Sequence, residues 1–270
     1  MKHQLNKAGK DQLRTVLLTI WSQRELVMAL SKRDIKLKYQ QTILGVLWLF
    51  LNPLLMASIF TFFFSQIIHF KQVGNSTLFV LTAYLGWYIF ANTLQQSSQV
   101  WKESAAIVEK IQIHRLILVM ARCVSISLEH FVFILLVLIF TGISGQLSFD
   151  FLWWLPLGYA LSTFSALGVT FFVAGISMTK RDVIQLVPHF LQIGIWLTPV
   201  FYAKEMLPEK FQLIFSLNPL VGMTDFWRFA IYGLPIDPWH VFICFVVLLL
   251  FGWISLRFFV KRERIYLEQV

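Results

Sequence analysis

The chain has 270 residues, of which 57% are hydrophobic, 16% aromatic and only 14% charged, against roughly 25% charged in an ordinary soluble chain. With a mean hydropathy of +0.69, this composition excludes a soluble domain of that size. A net charge of +9 does not point to nucleic acid, because Lys and Arg gather at the ends of apolar runs and form no basic stripe interleaved with aromatics.

The first 40 residues are polar and basic, with no short apolar region followed by a small-residue cleavage site. The first long apolar run is therefore expected to stay as a membrane anchor. Within residues 11–31, Leu13, Val16, Leu17, Ile20, Trp21, Val27 and Leu30 form a helical stripe, with Arg14 and Arg24 between them. Such a helix suits either the inner membrane surface or a packed position on the bundle. Lys32, Arg33, Lys36 and Lys38 then stand directly before an apolar run that continues to Ile68. Charges there need water or lipid phosphate, while the residues that follow need hydrocarbon.

A helical span needs about 20 predominantly apolar residues. Six stretches qualify, at about 43–68, 78–99, 116–143, 152–177, 184–202 and 238–259. The expected class is an all-α integral membrane protein with six transmembrane helices. Its parts are a cytoplasmic segment at 1–40, a transmembrane domain at 41–260 and a cytoplasmic tail at 261–270. With the N-terminus inside, all of the 23 Lys and Arg except Lys71, Lys204, Lys210 and Arg228 fall on the cytoplasmic side. That asymmetry places both termini inside.

Between spans, residues 101–115 are charged, with Ile107, Val108 and Ile111 on one side. They read either as a docking surface for another protein or as a solvated extension of the flanking helices. The segment Ala203–Asp237 contains Pro208, Pro219 and Pro235 and is too short and polar to span twice. It predicts two short amphipathic helices at about 208–216 and 219–232 that dip into the outer leaflet, the second opened by Asn218-Pro219.

Sequence motifs of catalysis are missing. There is no G-x-x-x-x-G-K-[ST]; Gly9-Lys10 lacks the upstream glycine, and no His pairs with Cys or Glu at metal-ligand spacing. Cys123 and Cys244 lie in apolar stretches and read as small core residues. Glu129 is the one carboxylate inside a span, where insertion at the bilayer centre costs roughly 2.5–3.5 kcal/mol. It reads as a gate or substrate-path residue, as a partner of Arg122, or as a link to the N-terminal helix. Asn52-Pro53, Pro188 and Pro199 are expected to bend their helices. Gly158, Ser162, Ala166, Thr170 and Ala174 repeat every four residues, a ladder that lets another helix approach closely. Aromatic residues crowd the first, second and fifth spans. Most suit the membrane interfaces, and a subset facing a cavity would offer flat surfaces to sugar rings.

Three blocks carry a resemblance. RDIKLKYQQTILGVLWLFLNPLL (33–55), MTKRDVIQLVPHFLQIGIWLTPVFY (178–202) and LNPLVGMTDFWRFAIYG (217–233) resemble, in order and at matching intervals, the permease subunits of type-2 ABC exporters for cell-surface polysaccharide. These are the O-antigen and teichoic-acid exporters. The resemblance implies a multi-pass protein of the bacterial inner membrane, working as a homodimer with two separate ATP-binding cassette subunits. ATP and Mg would be bound by those partners, with no cofactor, metal or catalytic residue in this chain. The substrate implied is a polyprenyl-diphosphate-linked glycan, moved through a channel between the two permeases.

The resemblance also implies residue roles. Contacts to the ATPase would come from Lys102, Glu103, Ile107, Glu109, Lys110, His114 and Arg115, with Arg181 and Asp182 as a second contact. Where many relatives carry Pro-Arg, this chain has His114-Arg115. The N-terminal helix becomes an interfacial one, with Arg33, Lys36 and Lys38 as its basic residues against membrane lipid. Residues 204–235 become periplasmic gate helices. Channel or gate candidates are Tyr39, Trp48, Asn52, Tyr84, Trp87, Glu129, Trp196, Phe201, Asn218 and Trp227. A rival reading from another class is a membrane enzyme acting on lipid-linked sugars through Glu129.

Overall fold

The computed structural model of the chain describes residues 18, 21–40, 42–63, 76–103, 115–177, 180 and 182–269. Among these residues the chain is helical and turn-linked, with no strand. In order, the main helices are α1 (Arg24–Tyr39), α2 (Trp48–Phe62), α3 (Ser76–Ser98), α4 (Arg115–Ile143), α5 (Leu155–Ser177), α6 (Asp182–Leu197), α7 (Glu209–Ser216), α8 (Pro219–Tyr232) and α9 (Pro238–Gln269). A one-turn helix, Val100–Glu103, follows α3, and a 3-10 turn, Phe149–Trp154, leads into α5.

Four of the described helices are long and apolar enough to cross a membrane: Thr77–Ser98, Arg115–Ile143, Phe149–Ser177 and Pro238–Glu263. The chain is thus an integral membrane protein. These four match the second, third, fourth and sixth spans expected from hydropathy. The first and fifth appear as shorter apolar helices, Gly45–Met56 and Asp182–Leu197. Residues 64–68 of the first expected span lie outside the described residues. Both α2 and α6 continue through their internal prolines, Pro53 and Pro188. The fifth expected span runs to Tyr202, whereas α6 stops at Leu197. The cause is local: Thr198 precedes Pro199, and a residue before proline is pushed out of the helical region.

α5 sits at the centre, packed on α9, α3 and α8. Water-driven burial is absent between helices in lipid, so close approach and polar contacts hold them together. The four-residue ladder serves this purpose, since Gly158, Ser162, Ala166, Thr170 and Ala174 are all buried. At Gly168 a Cβ would lie 2.6 Å from the Cα of Gly252 in α9, so two glycines set that crossing. Trp227 of α8 fills the opposite side: it is fully buried, and its indole N–H donates to Ser162 Oγ at 3.0 Å. A Cβ on Gly86 of α3 would meet the Trp227 ring at 2.5 Å.

The two short helices start where the prolines predict, but their surroundings differ. α7 has no buried residue and exposes Phe211, Leu213 and Ile214. α8 is a core helix, buried at Leu220 to Thr224, Phe226 to Arg228, Ala230 and Ile231. Asn218 caps it by accepting from Leu220 N–H at 3.0 Å, Pro219 occupies its first turn, and Gly233 ends it at φ 69°.

Of the stripe read over 11–31, Leu13, Val16, Leu17 and Ile20 lie outside the described residues, and the described helix, α1, runs on to Tyr39. It buries Val27, Leu30, Ser31 and Asp34 and packs on α4.

Replacing Gly168 by alanine overpacks the α5–α9 crossing and should lower stability by about 1–3 kcal/mol. Gly142→Ala, whose Cβ would meet only Leu147 at 4.0 Å, should leave it unchanged. Thermal unfolding of the detergent-solubilised protein reads both.

Candidate functional site

The seam between α1, α3 and α4 holds the densest set of polar side chains. Ser31 Oγ lies 2.7 Å from Val27 O and 2.8 Å from Ala121 O. Three residues on, Asp34 receives Arg33 at 2.6 Å and Arg122 Nε at 3.4 Å. The Arg122 guanidinium also pairs with Glu103 of the one-turn helix. One turn further, Lys38 Nζ reaches Glu129 Oε1 at 2.5 Å and Gln96 Oε1 at 3.3 Å. Positions 31, 34 and 38 thus meet 121, 122 and 129, so α1 runs alongside α4 and in the same sense.

Glu129 is satisfied from two helices, α1 and α3. Its second oxygen accepts from Asn92 Nδ2 at 3.3 Å and Gln96 Nε2 at 3.5 Å, both on α3. The Tyr39 hydroxyl also donates to Glu129; burial first, and then the Glu129 charge, push that hydroxyl above the ordinary tyrosine range. Of the partners open to Glu129, the structure selects the N-terminal helix through Lys38, while Arg122 serves Asp34 and Glu103. His130 lies beside this cluster, fully buried, with its ring Nε2 3.4 Å from Asn92 Nδ2 and edge-on to Tyr88 and Tyr159.

A second polar junction lies at the opposite end of the bundle. Arg228 is buried, with its guanidinium 3.7 Å from the centre of the Phe79 ring. It donates to Phe79 O at 3.3 Å, Pro199 O at 2.6 Å and Val200 O at 3.2 Å, and pairs with Asp225 at 3.2 Å. Charge, fork geometry and ring stacking are used together, which a lysine could not reproduce. Asn218 adds a second tie there, donating to Leu197 O at 3.0 Å and Thr198 Oγ1 at 3.3 Å. The turn after α6 is therefore fastened to α3 and α8.

The channel and gate candidates do not gather in one place. Tyr39 and Glu129 share the cluster between α1, α3 and α4, and Asn218 belongs to the junction around Arg228. Tyr84, Trp87, Phe201 and Trp227 are buried within the chain, so their side chains reach no open surface of it. Trp87 packs on α6, where a Cβ on Gly194 would meet its ring at 2.8 Å. Trp48 is half-buried, and Asn52 and Trp196 are exposed, Trp196 at 60%. Of the basic residues on α1, Arg33 and Lys38 are engaged with carboxylates, while Lys36 is exposed in the last turn.

Among the coupling candidates, Glu103 pairs with Arg122. The backbone N–H of Arg115 donates to Glu263 Oε1 of α9 at 3.0 Å, and Asp182 opens α6. Lys102 falls in the one-turn helix. Ile107, Glu109, Lys110, His114 and Arg181 lie outside the described residues. Sequence reasoning missed Asp34 and counted Arg228 only as a charge on the outer side. The signals were present: Asp34 is the one acidic residue in the run 32–38, and Arg228 stands between Trp227 and Phe229, three residues after Asp225 on the same helical face. No group of His, Cys, Asp and Glu suited to a metal occurs among the described residues.

The geometry defines a helical membrane domain built around charge-paired seams and glycine crossings. The family model for the ABC-2 type transporter matches residues 25–230, and the chain belongs to that family. It is 29% identical over 208 residues to an O-antigen export system permease protein RfbA of Klebsiella pneumoniae, covering 76% of this chain and 79% of that one. A protein of the same name from Myxococcus xanthus is 24% identical over 257 residues, covering 93% and 97%. The capsule polysaccharide export inner-membrane protein CtrC of Neisseria meningitidis serogroup B is 24% identical over 240 residues, covering 85% and 89%.

Removing the Arg228 fork strands several buried acceptors. Arg228→Met should lower stability by about 3 kcal/mol, the order seen when one partner of a buried charged pair is deleted. Arg228→Lys should lose less, and chemical unfolding in detergent compares the two.

Proposed function

We propose that this chain is the membrane permease of an ATP-driven exporter of cell-surface polysaccharide in the bacterial inner membrane. The observation that carries the reading is the similarity, over 76% to 93% of this chain, to export permeases named for O antigen and capsule. The lack of a phosphate-binding loop in the sequence agrees with a subunit that borrows its energy. Two separate ATP-binding cassette subunits bind ATP and Mg and dock on residues 101–115 and 179–183.

The working unit is a homodimer with six spans per subunit and both termini inside. Its substrate is a glycan carried on a polyprenyl diphosphate, moved between the two copies. At 15 and 16 residues, α2 and α6 are shorter than a straight crossing of a bilayer core of roughly 30 Å requires. Trp48, Asn52 and Trp196 are the candidates with side chains free to face such a path. Capsule export is the second reading, favoured by the relative from Neisseria. Lipid-linked sugar chemistry at Glu129 is disfavoured by the carboxylate's engagement with Lys38, Asn92 and Gln96.

Deleting this chain should strip the cell surface of one polysaccharide, with lipid-linked glycan accumulating inside and surface display returning on complementation. Unchanged surface polysaccharide in the deletion strain would sink the reading. Glycan turnover by the purified chain without ATP, lost in Glu129→Gln, would favour the enzyme instead.

A further inference from the structure

The Arg122 side chain joins three parts of the chain at this end of the bundle. It belongs to α4, pairs with Asp34 of α1, and pairs with Glu103 of the one-turn helix that opens the segment 101–115. Burial is graded across this triad: the side chain of Asp34 is 4% exposed, Arg122 12% and Glu103 47%. The outermost member is therefore the one a cytoplasmic partner can reach, and the innermost is the one fixed in the bundle. Arg33 already holds the other oxygen of Asp34 at 2.6 Å, so Asp34 keeps a counter-charge whichever way Arg122 leans.

We propose that Arg122 is a positioning residue that transmits movement of the 101–115 segment to α1. This rests on the reading that the ATPase docks on that segment. The bistable element is the guanidinium, shared between Glu103 and Asp34 in one arrangement and given to Asp34 alone in the other. Withdrawal of Glu103 tightens the clasp on α1 at Asp34. The shift is felt along α1, because Ser31 rests on Ala121 O, next to Arg122, and Lys38 rests on Glu129 one turn beyond. A lysine offers a point charge in place of a fork and serves two carboxylates less well. The link is a contiguous set of contacts running from Glu103 through Arg122 to Asp34, Ser31 and Lys38 of α1.

The test uses the permease co-expressed with its ATP-binding subunits, reading three quantities: co-purification, ATP hydrolysis by the complex, and surface polysaccharide per complex. Arg122→Gln and Asp34→Asn should both co-purify and hydrolyse ATP at the basal wild-type rate. Their surface polysaccharide per complex should fall about fivefold or more, the lower end of coupling between distinct sites, and Arg122→Lys should recover part of it. A purely structural role would lower co-purification and hydrolysis together and leave the ratio unmoved. Should Arg122→Gln fail to assemble, Asp34→Asn, which keeps its shape, decides. Wild-type export per complex in Arg122→Gln and Asp34→Asn overturns the inference and leaves the docking reading intact. Failure of the wild-type permease to co-purify with any ATP-binding subunit overturns the docking reading itself.

Discussion

An ionised group next to hydrocarbon is tolerated only when a partner takes the place of water. Around α1 and α4 this rule fixes the arrangement. Asp34, Arg122, Lys38 and Glu129 meet as complementary charges on two helices that lie side by side, and α3 supplies Asn92 and Gln96 to fill the remaining sites on Glu129. Releasing α1 would leave Glu129 facing lipid with its main counter-charge gone. The N-terminal helix is thereby made part of the transmembrane domain, and its basic residues are held at a fixed height relative to α4.

The other end of the bundle uses the same rule with backbone carbonyls as partners. Arg228 gathers Phe79, Pro199 and Val200 carbonyls around one guanidinium, joining α8, the start of α3 and the turn after α6. Between these two junctions the helices are held by shape. Small residues on α5 and the Gly168–Gly252 contact admit close approach, and Trp227 fills the space left between α3, α5 and α8. The domain therefore has two polar ends joined by a tightly packed apolar middle.

Much of this architecture was legible in the sequence. Long apolar runs gave four of the spans, the small-residue ladder gave the buried face of α5, and Asn218-Pro219 gave the start of α8. Side-chain placement was less accessible, for a physical reason. On a helix that is apolar all round, periodicity does not say which face meets protein and which meets lipid, so Trp87, Phe201 and Trp227 read as wall aromatics although they fill the core. Arg228 was counted only as a charge on the outer side, because a buried arginine satisfied by carbonyls has no spacing signature. The partner of Glu129 depended on the direction of α1, which no local pattern encodes.

The central claim is that α1 is fastened to the bundle by charge, and a double-mutant cycle on Lys38→Met and Glu129→Gln tests it most directly. Unfolding free energies of the wild type, the two single variants and the double variant in detergent should give a coupling of about 1 kcal/mol or more, within the range for contacting residues. In that case the double variant loses less than the sum of the two single losses by that amount. Losses that simply add, to within about 0.5 kcal/mol, would show that the two residues do not act together and would contradict the account.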